Sequence, residues 1–175
     1  MPEIGKDQPM TVPPAVTDEL LANNARYAET FPGLVPVAPA RQVAIVTCMD
    51  SRLDVFGMLG LEIGDAHIIR NAGGVITDDV IRSLAVSQRL LNTRVVIVIH
   101  HTECGLDGLD EEAFVASLTA DAGSPPSWPV RAFDDVDQDV RESVAAVRSS
   151  AYLPHRDEVR GFVAEVALGR LREVS

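Results

Sequence analysis

Cysteine is scarce in this chain: its 175 residues contain two. A disulfide framework of the kind that staples small secreted domains is therefore excluded. Aromatic residues make up 5% of the chain, and no apolar run approaches the roughly 20 residues needed to cross a bilayer. The N-terminal MPEIGKDQPM has no basic start followed by an apolar stretch, so no secretory signal is visible. Cytoplasm is the expected compartment, with no membrane partner. Positive charge is in deficit, at a formal net charge of −11. Such a surface repels a phosphate backbone, which argues against a nucleic-acid partner. Neither G-x-x-x-x-G-K nor G-x-G-x-x-G occurs, so nucleotide binding has no local support.

What remains is ample apolar content, 46% of the chain, spread along its length. That is enough for one domain with a real core. Residues 1–16 are proline-rich and aperiodic and read as a flexible N-terminal arm, with residues 17–175 forming the domain. Thr17 is expected to cap a weakly amphipathic helix running to Phe31, and FPGLVPVAPA (31–40) is a linker. VAIVT (43–47) and VVIVI (95–99) are β-branched runs, the pattern of strands buried on both faces. Between them Ser51 is expected to cap a short helix ending at Gly60, and AHIIR (66–70) reads as a strand. NAGG (71–74) reads as a turn, and Thr77 caps a helix with Asp78 and Asp79 in its first turn. Helices over 110–118 and 134–150 precede a closing hairpin, 161–167 with 170–174. The alternation predicts an α/β domain: a mostly parallel central sheet flanked by helices, an antiparallel edge strand and an N-terminal helical arm.

The two cysteines sit in two polar clusters, CMDSR (48–52) and HHTEC (100–104), each at the carboxyl end of one of the most hydrophobic strands. Ligands of open α/β sheets bind beyond those ends, where the strand order reverses. If the two strands are neighbours there, Cys48 meets His101 and Cys104, and two thiolates with one imidazole make a zinc site with its fourth position available. Packing is the competing reading for each residue alone. Adjacent strand residues point to opposite faces, so only one of His100 and His101 can reach the site. The H-x-x-C spacing favours His101, leaving His100 as a hydrogen-bonded structural histidine; His67 and His155 have no sequence partner. Asp50 and Arg52 are either a solvated ion pair or, beside a metal, a dyad. In the dyad Asp50 accepts a hydrogen bond at the metal or occupies its fourth position, and Arg52 grips it bidentately.

C-x-D-x-R followed by H-x-x-C-G resembles the β-class carbonic anhydrases, in the form Cys48-Met49-Asp50-Ser51-Arg52 and His101-Thr102-Glu103-Cys104-Gly105. The resemblance continues through IIRNAGG (68–74), TDDVIRSLAVSQRLL (77–91) and RGFVAEVALGRL (160–171), and is strongest to the compact actinobacterial members. It implies that Cys48, His101 and Cys104 bind zinc and that Asp50 and Arg52 form the catalytic dyad. Asp50 would alternate between an open state and a closed one in which it ligates the metal. The implied reaction is reversible hydration of carbon dioxide to bicarbonate and a proton, by a homodimer or higher homo-oligomer in which the N-terminal helix lies on the neighbouring subunit. Rival readings are hydrolysis of carbon disulfide or carbonyl sulfide on the same ligands, a zinc-stabilised binding module without turnover, and thiol chemistry by Cys48 alone. The NAGG turn either brings N–H groups near an anion or is simply tight. The few Phe and Tyr residues fall in no recognisable pocket motif.

Overall fold

A computed structural model describes residues 15–175. Nearly all of the arm expected over 1–16 lies outside the described residues. Val16 already belongs to the first helix, α1 (Val16–Thr30), which starts after Ala15 without a side-chain cap. Thr17 is therefore not the cap: it sits inside the first turn beside Asp18 and Glu19, whose charges complement the helix N-terminus. From Thr17 to Thr30 every residue of α1 is exposed. This helix belongs to a unit ending at Leu34, and Val35–Ser175 form a second unit that holds everything described below.

Five strands make one sheet in the order β2-β1-β3-β4-β5: β1 (Val43–Cys48), β2 (Ala66–Asn71), β3 (Val95–His101), β4 (Val159–Glu165) and β5 (Arg170–Val174). The first four run parallel, and β5 returns antiparallel on β4 through the turn at Leu168–Gly169. All six residues of β1 are buried, as its continuous apolar run, rich in β-branched residues, predicts. Alternation sorts the side chains. Ala44, Val46, Val96 and Val98 join one core with Val80 and Leu84 of helix α3 (Asp78–Leu91) and Val147 of helix α5 (Val136–Ser149). Val43, Ile45 and Ile99 join the other core with Leu53 and with Val55 of helix α2 (Val55–Leu59). Helix α4 (Glu111–Ala122) buries none of its residues.

Caps mark where these helices begin. Thr77 accepts from Val80 N–H at 3.3 Å, as its place before the apolar stripe predicts. Ser51, by contrast, caps nothing. Residues 51–54 form a turn closed by the Asp50 carboxylate, which accepts from Arg52 N–H at 2.9 Å, and α2 starts four residues later than Ser51 at Val55, capped by Asp54. The stronger carboxylate acceptor of Asp50 takes the first turn's N–H and delays the helix. Strand β3 also continues one residue beyond His100, because β4 pairs with both histidines, His100 opposite Val163 and His101 opposite Ala164.

Candidate metal centre

From β1 the chain crosses to β2 on one side and then to β3 on the other, so the strand order reverses between β1 and β3. Cys48 ends β1 and His101 ends β3 beside it; Cys104 lies one turn further on. The ligand atoms of Cys48, His101 and Cys104 all lie within 4.8 Å of one another, and all three residues are buried. The parity of β3 puts His101 on this face and sends His100 to the opposite one.

Orientation of the imidazole is set locally. His101 Nδ1 lies 2.9 Å from the Thr102 carbonyl oxygen, an acceptor, so Nδ1 carries the proton and Nε2 turns its lone pair inward. That buried Nε2 has no hydrogen-bond partner among the described residues. An orphaned imidazole lone pair facing two sulfurs fits a tetrahedral thiophilic cation and is otherwise costly to bury. Burial alone would depress the basicity of His101, but the Cys48 sulfur and the Asp50 charge outweigh it and raise it above its ordinary value. The closeness of the two sulfurs draws the Cys48 thiol down, against burial, and pushes the Cys104 thiol up with burial's help.

Asp50 and Arg52 stand over this cluster. Arg52 donates from Nε to Asp50 Oδ1 at 3.0 Å and from Nη2 to Oδ2 at 2.8 Å, the bidentate grip anticipated for this pair. Those bonds hold the Asp50 carboxyl well below the usual carboxylate range. Asp50 Oδ2 lies 3.9 Å from His101 Nε2, close enough to reach whatever the three ligand atoms hold. A cleft of about 580 Å³ opens above, lined by Met49, Asp50, Ser51, Arg52, Glu103 and Gly105.

The profile of the family described as carbonic anhydrase matches residues 43–113. Beta-carbonic anhydrase 1 of Mycobacterium tuberculosis is 48% identical over 160 residues, 91% of this chain and 98% of that protein. The chain belongs to the β-carbonic anhydrase family. Among solved structures, the carbonic anhydrase of Streptococcus mutans superposes with a TM-score of 0.85 at 40% identity, covering 94% of this chain and all of that one. A carbon disulfide hydrolase of Acidithiobacillus thiooxidans is 35% identical over 153 residues, 75% of this chain and 76% of that protein.

Contacts from Glu103 and Arg70 in this β-carbonic anhydrase carry no local sequence signal, whereas that of Gly74 belongs to the turn already read at 71–74. Glu103 supplies Arg52 with two further acceptors, its Oε2 at 3.2 Å and its carbonyl oxygen at 2.9 Å. It does so from a left-handed backbone, φ 57°, between His101 and Cys104. Arg70 on β2 donates to the carbonyl oxygens of Cys48, Asp50 and Leu53 at 3.0, 2.6 and 3.3 Å, tying the loop that carries both a thiol and the dyad. Gly74 lies flat against β1: a Cβ there would fall 2.9 Å from both Cys48 N and Thr47 C. The NAGG segment is thus a tight turn whose glycines let it close on the ligand strand. His67 and His155 lie elsewhere, His67 Nδ1 bonding Ser87 Oγ at 2.7 Å and His155 meeting Gln88 through its backbone.

Proposed function

We propose that this β-carbonic anhydrase interconverts carbon dioxide with bicarbonate and a proton at a zinc ion held by Cys48, His101 and Cys104. The observation that carries the reading is the buried convergence of two thiols and an orphaned imidazole nitrogen beneath a bidentate Asp50–Arg52 pair. Zinc, when bound, supplies the Lewis acidity that ionises water near neutral pH. Thr102 fixes the imidazole tautomer so that Nε2 faces the cation. Arg52 holds Asp50 as a carboxylate whose Oδ2 can accept a hydrogen bond from incoming water or fill the fourth position itself. Both thiols are unbonded, which suits a reducing compartment such as the cytoplasm.

Two thiolates and a neutral imidazole balance a divalent charge, unlike three histidines. Water at such a site is less acidic than the pKa of about 7 found with three histidines. Activity is therefore expected to rise from pH 6.5 to pH 9, measured by stopped-flow hydration on zinc-quantified protein. Asp50 is held ionised below that whole window, so its own protonation does not produce the rise. A flat profile would contradict the charge-balanced ligand set. A second reading, favoured by the 35% identical carbon disulfide hydrolase, places carbon disulfide in the same cleft; sulfide release from carbon disulfide with no acceleration of carbon dioxide hydration would select it.

We also take the working protein to be a homodimer. Helix α1 exposes Leu20 at 60% and Leu21 at 62%, and a helix with no buried residue needs a partner surface to persist. Sedimentation equilibrium is expected to give twice the chain mass, and a monomer at micromolar concentration would refute this.

A further inference from the structure

His100 is as deeply buried as His101, yet nothing in the reaction uses it. On the far face of β3 its ring lies between two acceptors. Nε2 is 3.2 Å from the carbonyl oxygen of Gly74, and Nδ1 is 2.8 Å from Asp139 Oδ2 on α5, a close approach in which neither atom makes a hydrogen bond of good geometry. A polar ring buried in an apolar core is costly unless polar groups compensate it, and here those are one carbonyl and one carboxylate. Each neighbour leads somewhere. Asp139 is fixed in the first turn of α5, its N–H bonding the Asp135 carbonyl at 3.0 Å. Gly74, with φ 73°, is pressed against the backbone of Thr47 and Cys48.

These contacts form one continuous path through the sheet, from α5 to His100, from His100 to the 73–74 turn, and from the turn to Cys48. We propose that His100 and Asp139 are positioning residues for the metal site: they fix the Gly73–Gly74 turn and through it the direction in which Cys48 presents its sulfur. The proposal rests on the zinc reading given above. Contacts of this kind behind a ligand are typically worth 10- to 100-fold in metal affinity. A histidine that merely filled the core would affect folding and leave the ligand geometry alone.

The test uses full-length zinc-loaded protein and its cobalt(II)-substituted form. Three variants are compared with the wild type: His100→Leu, which removes both contacts; His100→Gln, whose amide can still donate to Gly74; and Asp139→Asn, which keeps the shape of the side chain. Zinc affinity is measured by chelator competition, and thiolate-to-cobalt charge-transfer absorption reports the sulfur geometry. His100→Leu is expected to weaken zinc 10- to 100-fold and to shift the charge-transfer band. Asp139→Asn should move both readouts in the same direction by less, and His100→Gln should recover most of the loss. Wild-type affinity and spectrum in His100→Leu and Asp139→Asn, whatever their melting temperatures, overturn the proposal. If His100→Leu fails to fold, Asp139→Asn decides alone, because its side chain is at the edge of the core, 16% exposed. Wild-type protein that binds no zinc overturns the underlying reading, a result visible before any variant is made.

Discussion

Cys48→Ser is expected to remove zinc and fast carbon dioxide hydration together. The substitution exchanges a soft, ionisable sulfur for a hydroxyl that does not ionise near neutral pH, leaving one thiol and one imidazole in a three-point site. Hydration at pH 8.5 should fall by on the order of 10³-fold or more, because water with a pKa near 15.7 no longer ionises usefully. The fold should survive, since the change removes no backbone pairing of β1 and replaces sulfur by a smaller atom at the end of the strand. Zinc content and stopped-flow rate on the same sample check both halves. Full zinc occupancy at an unchanged rate would falsify the assignment of Cys48 as a ligand.

Gly74→Ala should have the largest effect on stability of any single methyl addition near the site. Two costs add. A left-handed backbone costs an alanine about 1 kcal/mol or more, and forcing a methyl into packed backbone adds about 1–3 kcal/mol. The contact here is with backbone atoms of Thr47 and Cys48 at 2.9 Å, which cannot rotate away as a side chain would. A total of about 2–4 kcal/mol corresponds to roughly 5–15 °C in Tm for a chain of this size. Gly123→Ala separates the terms: Gly123 has φ 77° but nothing within 4 Å of its would-be methyl, so only the backbone cost applies. Equal losses in the two variants would show that the turn yields at Gly74. Zinc affinity should fall in Gly74→Ala alone.

The sheet and the meeting of Cys48, His101 and Cys104 were legible because two independent sequence signals coincide. Apolar runs rich in β-branched residues locate β1 and β3, and each polar cluster starts where its run ends. Strand parity then separates His101 from His100 with no structural information. Helix starts were less legible where several acceptors compete. Asp50, Ser51 and Asp54 could each close a first turn; the observed start depends on Asp50 being drawn toward Arg52, which a capping preference does not encode. Arg70, Glu103 and Asp139 were invisible as participants, because each meets its partner from a different element. Nothing in the neighbouring residues of an arginine on β2 announces that it will gather three carbonyls from another strand's end.

The alternation of β3 has a consequence for how such a chain can drift. Inserting or deleting one residue within Val95–Ile99 would exchange the roles of His100 and His101, turning the ligand toward α5 and the α5-facing histidine toward the sulfurs. Substitutions inside the strand change packing by degrees, whereas a single-residue indel swaps two chemically different jobs at once. Length changes are therefore confined to the connections, and the strand behaves as a fixed-frame word in which only the spelling can vary.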